Sequence, residues 1–431
     1  MKQKLLNIAL VMTMVLMLVT MFGCSKTNKD QTSSPEGTKE EVTVTVAAEN
    51  SATDAQVTAT VVPKTGDGTS AEGDVLTPAA SDLKTTLVDG GFKKVYEQYG
   101  IKAGTCLSDT MIAQSRYTDL IKENYNSVTL ENFMKPENIL DKTKSIAAGD
   151  IVVEFTKKTT DLLDWAKSNG LSVRGHTLVW YSQTPDWIFY KDFDSTKGLV
   201  DRDTMLARME SYIKQVFEQL DTLGYTDMFY AYDVVNEALM EDGTYRDSQW
   251  KTIIGEDYIW YAFHYADKYA PKSIKLYYND YNEQFKTAAI VKLAQSLVDK
   301  DGKSLIDGIG CQGHLYTEDS IENYISMLKT FSKLGLDVQI TELDVCLGSW
   351  NNIEKATDEN LKAQGKYYYN LINRIIVENA AGNTSVSAIT FWGFADNLSW
   401  RNTRSPLVFD SNLKPKYAYY GAIQDHDNAG Y

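Results

Sequence analysis

Two glutamates stand where a run of strand-forming residues stops. Glu237 closes Asp233-Val234-Val235-Asn236, and Glu342 closes Val338-Gln339-Ile340-Thr341. A carboxylate at such a place is costly to bury unpaired, so it either belongs to an ion pair or faces a pocket. Other chemistry-bearing residues recur at the same kind of position: Glu131 and Asn132, His176, Asn236, Gln312 and His314, and Trp392. Facing carboxylates among amides, imidazoles and flat aromatic rings are the equipment of glycosidic-bond hydrolysis. Rival chemistries lack their parts. The four histidines show no His-x-His or His-Glu-x-x-His pairing, there is no Cys-x-x-Cys, and no Gly-x-Ser-x-Gly turn presents a nucleophilic serine. The sequence therefore calls for no metal and no cofactor.

Taken singly, each residue has a plainer use. His176 and His314 could be framework histidines, Trp392 and Trp400 core tryptophans, Glu131 a structural carboxylate, and Lys135 a solvated surface charge. The local elements argue otherwise. Asp161 to Gly170 reads as an amphipathic helix with a basic last turn and a glycine cap, and Leu171 to His176 as the strand after it. The same order recurs from Met327 to Gly335, with a strand over Leu336 to Ile340 and a polar end at Thr341-Glu342. It recurs again where Phe217 to Gly224 leads to a strand through Tyr232 to Val235 that ends at Asn236-Glu237. Eight such strands are expected, ending near Cys106, Glu131, His176, Glu237, Asn279, His314, Glu342 and Trp392.

Strands alternating with helices call for parallel βαβ units, and eight of them suit an α/β fold with a single (β/α)8 TIM barrel. Its strand ends would converge on one face and carry the polar residues with them. An open doubly wound sheet is the alternative, but no glycine-rich dinucleotide turn follows the first strand.

The chain has 431 residues, 43% of them hydrophobic and 23% charged, as expected of a globular protein rather than a disordered or multi-spanning one. A net charge of −15 repels phosphates and argues against nucleic acid as a partner. Nothing marks an obligate protein partner. With 27 tyrosines and 8 tryptophans, the chain has aromatic rings to spare for lining a site.

The N-terminus is built differently. Two lysines in Met1 to Lys4 precede an uncharged run from Leu5 to Phe22, the pattern of an export signal. Gly23-Cys24-Ser25 resembles the lipobox of bacterial lipoproteins, which implies a signal peptide over 1–23 and a lipid on Cys24. Residues 25–80 contain four lysines, nine acidic residues and no aromatic residue. Such a segment buries too little apolar surface to offset its chain entropy. The expected organisation is a lipid-anchored disordered linker over 24–80 and a barrel over 81–431, placed at the bacterial cell surface on the outer face of the cytoplasmic membrane or on the outer membrane. Of the cysteines, Cys106, Cys311 and Cys346 remain in the barrel, enough for one disulfide at most.

Six segments carry a family resemblance. Ser127 to Lys135, Gly175 to Trp180 with Gln183 to Trp187, Asp233 to Ala238, Gln312-Gly313-His314, Ile340 to Val345 and Phe391 to Phe394 resemble glycoside hydrolase family 10, the endo-β-1,4-xylanases. They follow the family's order over roughly 81 to 425. The resemblance implies a retaining barrel that cuts internal bonds of xylan, with xylan and xylo-oligosaccharides as ligands. It implies Glu237 as acid/base and Glu342 as nucleophile, with His314 orienting Glu342 and leaning on Asp344. It further implies Asn236 on the sugar 2-hydroxyl, Lys135, His176, Trp180 and Gln312 around the reactive sugar, Glu131 and Asn132 on the next, and Trp392 and Trp400 as walls. Leu130 and Pro136 depart from the family's usual proline and tryptophan, as does the wording from Gly393 to Arg401, near the glycone-side wall. Two other readings are a related two-glutamate barrel acting on a β-glucan or mannan, and a surface lipoprotein that binds sugar without cutting it.

Overall fold

The computed structural model describes residues 86–431. The expected signal peptide, Cys24, the linker and residues 81–85 lie outside the described residues. Among the described residues ten strands occur in order: β1 Lys102–Leu107, β2 Ser127–Leu130, β3 Ser172–Gly175, β4 Val179–Trp180, β5 Phe229–Asn236, β6 Lys275–Asp280, β7 Gly308–Cys311, β8 His314–Tyr316, β9 Asp337–Cys346 and β10 Val386–Phe391. Eight of them run parallel in the order β1-β2-β3-β5-β6-β7-β9-β10, and β10 pairs with β1 to close the barrel. The open-sheet alternative is thereby excluded. The short strands β4 and β8 pair with the later residues of β5 and β9, continuing the ladders that β3 and β7 begin.

The local sequence explains why the pieces form. Thr156 caps the helix Lys157–Ser168 by accepting from the Thr159 backbone N–H, and Leu162, Leu163 and Ala166 bury one stripe of it. Ser320 caps Ile321–Ser332 in the same way, with Tyr324, Ile325, Leu328 and Phe331 inward. Strand β9 is buried on both faces from Val338 onward, because helices cover its outside while side chains fill the barrel. The strand expected to end at His314 stops at Cys311. Gly313, at φ +73°, breaks it, and the chain resumes as β8.

Part of the barrel's interior is polar. Arg174 forms a two-point ion pair with Asp233 and donates from Nε to Gln339 Oε1 at 3.0 Å. Gln339 in turn donates to Tyr277 Oη at 2.8 Å. Higher up, a side chain at Gly310 would put its Cβ 2.4 Å from Asn279 Oδ1, so only glycine there leaves Asn279 its place. Cys106, Cys311 and Cys346 are buried free thiols, which leaves the one permitted disulfide unformed. Among the described residues no helix is long and apolar enough to cross a membrane.

Among the buried side-chain groups without a hydrogen-bond partner is a carboxyl. Glu283 is 1% exposed and neither of its carboxyl oxygens has a hydrogen-bond partner. Burial pushes its pKa up to about 8, with Asp280 acting in the same sense. Between the ordinary 4.5 and this value the folded chain holds a proton that the unfolded chain has lost, so Glu283 costs stability as pH rises, by about 3 kcal/mol at pH 7. Glu283→Gln is expected to raise the melting temperature, with a gain that is small near pH 4.5 and grows steadily towards pH 8. A gain that stays flat across that range in differential scanning calorimetry would show that the carboxyl is not protonated in the fold.

Candidate active site

The C-terminal strand ends enclose a cleft of about 870 Å³. Glu131, Asn132 and Lys135 reach it from the turn after β2, His176 and Trp180 from the chain after β3, and Asn236 and Glu237 from the end of β5. Gln312 and His314 come from the β7–β8 break, Glu342 from β9, and Trp392 and Trp400 from beyond β10. All twelve cleft residues expected from the sequence are thus brought together. Asp344 lies directly behind His314.

Glu342 sits at the end of a chain of alternating charge. It is 5% exposed. Asn279 Nδ2 donates to its Oε1 at 2.9 Å, and His314 Nε2 lies 3.3 Å from its Oε2. On its other side, His314 Nδ1 is 3.1 Å from Asp344 Oδ2, and Arg401 is ion-paired to Asp344 Oδ1. Burial alone would raise the Glu342 pKa, but the His314 hydrogen bond, the His176 and His314 imidazoles and Asn279 together bring it down to about 2. Burial would likewise discharge His314, yet Asp344 and Glu342 push it up to about 10. The order is cation, anion, cation, anion, ending in the cleft.

Glu237 is held by neutral groups. Its backbone is left-handed at φ +55°, with its N–H on the Asn279 carbonyl at 2.9 Å. Its Oε1 accepts from Gln312 Nε2 at 3.0 Å and from Asn236 Nδ2 at 3.2 Å. Asn236 Oδ1 accepts from Asn279 Nδ2 at 2.9 Å, so the same carboxamide reaches both carboxyl arms. Thr341 Oγ1 fixes the orientation of that carboxamide by donating to Asn279 Oδ1 at 2.6 Å.

Lys135 stands in the cleft and not in its plainer use at the surface. It is 6% exposed, not a solvated surface charge. Its Nζ donates to Asn132 Oδ1 at 3.0 Å and Gln183 Oε1 at 2.7 Å, and it lies 5.0 Å from the centre of the Trp180 ring. Burial lowers its pKa, while Glu342, Glu131 and Glu237 oppose that. Burial also raises Glu131, against Lys135. Trp392 forms inner wall, edge-on to His176 at 5.6 Å, whereas Trp400 stands at the rim, 64% exposed and edge-on to His314 at 5.2 Å.

Sequence reasoning missed several groups. Asn279 was visible as a polar strand end but not as a bridging amide. Gln183 and Arg401 lay inside recognisable motifs without an assigned role. Tyr181, Tyr281, Phe285 and Trp350 also line the cleft, and Trp350, 74% exposed on a loop, left no signal in the local pattern.

A sequence model described as Glycosyl hydrolase family 10 matches residues 91–425. A protein of Caldicellulosiruptor saccharolyticus is 40% identical over 308 residues, covering 68% of this chain and 96% of that one. Endo-1,4-beta-xylanase B of Butyrivibrio fibrisolvens is 35% identical over 345 residues, 77% of this chain but 52% of its own length. Among solved structures, an intracellular xylanase from Thermoanaerobacterium saccharolyticum is 32% identical with a TM-score of 0.68, covering 78% of this chain and 98% of that one. The endo-1,4-beta-D-xylanase modules from Clostridium thermocellum, complexed with xylohexaose, are 33% identical with a TM-score of 0.70, covering 78% of this chain and 67% of that one.

The charge chain carries a stability signature. His314 contributes fully below its ordinary 6.5 and loses its contribution as pH rises through about 10, while Glu342 contributes above 4.5 and loses it as pH falls towards 2. Both are fully present between 4.5 and 6.5. Asp344→Asn strands the Arg401 and His314 cations and is expected to cost about 3 to 5 kcal/mol. In ¹⁵N NMR of the wild type at pH 8, both His314 ring nitrogens should carry protons, and in Asp344→Asn one should lose its proton. A wild-type His314 that titrated near its ordinary value would break the chain as described.

Proposed function

The chain belongs to glycosyl hydrolase family 10 and is an endo-1,4-β-xylanase; we propose that Glu342 is its nucleophile, Glu237 its acid/base, and a lipid on Cys24 its anchor. The carrying observation is that the two carboxyls are held by different means, Glu342 by charged partners that keep it ionised and Glu237 by neutral amide donors.

Glu342 attacks the anomeric carbon of a bound xylosyl unit while the bond to the leaving oxygen breaks and Glu237 gives that oxygen its proton. The glycosyl-enzyme ester removes the charge of Glu342. Glu237, now ionised, takes a proton from water as the water oxygen bonds to the anomeric carbon and Glu342 leaves, so configuration is retained. Asn236 hydrogen-bonds the 2-hydroxyl of the reacting sugar. Lys135, His176, Trp180 and Gln312 surround that sugar, Glu131 and Asn132 hold the next, and Trp392 and Trp400 form walls. His314 and Asp344 keep Glu342 ionised and aimed.

Glu342→Ala is expected to abolish hydrolysis of xylan, and added azide should restore part of the rate on an activated aryl xyloside while giving the inverted glycosyl azide. Product analysis by NMR decides it. Rescue to that inverted product in Glu237→Ala but not in Glu342→Ala would reverse the two roles.

The anchor rests on Lys2 and Lys4, the uncharged run from Leu5 to Phe22 and the Gly23-Cys24 junction. Residues 24–80 would then serve as the linker between the lipid and the barrel. In a bacterial host the full-length chain should fractionate with membranes and incorporate labelled palmitate, and Cys24→Ala should do neither. Equal membrane recovery of the two forms would rule out the lipid.

A further inference from the structure

Tyr181 stands beside Glu237 for a reason built into the strands. In the parallel pairing of β4 with β5, Trp180 is the register partner of Asn236, so the next residues along, Tyr181 and Glu237, emerge side by side into the cleft. Arg246 fastens the pair. Its Nε donates to the Glu237 carbonyl at 2.8 Å, its Nη2 donates to Tyr281 Oη at 2.7 Å, and its guanidinium lies 4.5 Å from the centre of the Tyr181 ring. One cation thus holds the left-handed backbone of Glu237 and clamps the face of the neighbouring phenol. Burial, followed by the neighbouring Glu237 carboxyl, raises the pKa of the phenol, so it remains a hydrogen-bond donor across the working pH range.

Resting on the acid/base reading of Glu237, we propose that Tyr181 is a positioning residue for that carboxyl, donating to its ionised form and so favouring the base needed in the second half of the reaction. The other charged or titratable groups around Glu237 are Lys135 after β2, His176 after β3, Arg246, Tyr281 after β6, His314 on β8 and Glu342 on β9. Glu342 loses its charge in the glycosyl-enzyme. At that stage a donor from Tyr181 acts on Glu237 with no opposing anion from Glu342.

The test compares Tyr181→Phe with the wild type on two substrates. On xylo-oligosaccharides, losing a donor to the ionised form should move the alkaline limb of kcat/KM up by about half to one pH unit. On a dinitrophenyl β-xylobioside, whose leaving group needs no proton, kcat should fall about 5- to 20-fold while kcat/KM stays within about twofold, because only hydrolysis of the glycosyl-enzyme is slowed. A purely structural role would not separate kcat from kcat/KM in this way. Should Tyr181→Phe melt early, 3-fluorotyrosine at 181 keeps the ring and strengthens the donor, and the alkaline limb should then move down. An unmoved limb in both variants, with kcat and KM unchanged on the aryl substrate, would overturn the proposal. Glu237→Ala in the same assay guards the premise. If it leaves kcat on the aryl substrate intact, the acid/base assignment falls and the role of Tyr181 with it; if it lowers kcat as an acid/base variant should while Tyr181→Phe does not, only Tyr181 is misassigned.

Discussion

A negative charge buried beneath an uncharged ligand is the constraint around which this barrel is arranged. Glu342 is nearly inaccessible, and an isolated carboxylate so placed would take up a proton rather than pay the desolvation cost. The fold prevents this with a relay that starts at Arg401 and passes through Asp344 and His314. The partners come from separate stretches of chain: β9 carries Glu342 and Asp344 two residues apart on one strand face, β8 brings His314 alongside in register with Asp344, and the loop after β10 delivers Arg401. The extra pairing of β8 with β9 thus has an electrostatic purpose, since it places the imidazole between two carboxylates.

On the proposed acid/base role, the other carboxyl needs the reverse treatment. A group that must both give and take a proton is poorly served by a fixed ion pair, which would lock one state. Asn236, Asn279 and Gln312 supply dipoles instead of charges, and Asn279 ties the two arms into one hydrogen-bonded frame. Gly310 makes room for that carboxamide from the far side, so a residue with no side chain has a role in the site.

The strand ends were readable because each combines a β-branched run, a helix with a glycine beyond it, and a polar terminus that physical chemistry does not allow in a core. Glu237, Glu342, His176 and His314 announced themselves in this way, and the barrel followed from their spacing. What escaped was settled by packing rather than by local pattern. Lys135 reads as a surface lysine until Trp180 and Gln183, from a different turn, close over it. Tyr181 and Arg246 are unremarkable until the register of β4 on β5 joins them at Glu237. Glu283 gives no warning at all, since nothing in its neighbours announces a buried carboxyl without a hydrogen-bond partner. The break at Gly313 could have been suspected from the glycine, but its result, a fresh pairing that serves Glu342, depends on a strand met later in the chain.

The three thiols of the barrel have a consequence of another kind. Cys106, Cys311 and Cys346 are buried apart from one another as free thiols, and burial raises the pKa of each, so none offers the thiolate on which disulfide exchange depends. The folded barrel therefore has the same covalent structure in reducing and in oxidising surroundings. It needs no oxidant or disulfide isomerase to reach its native state and gains no stability from either, so its persistence depends on packing, hydrogen bonds and buried charge and not on cross-links.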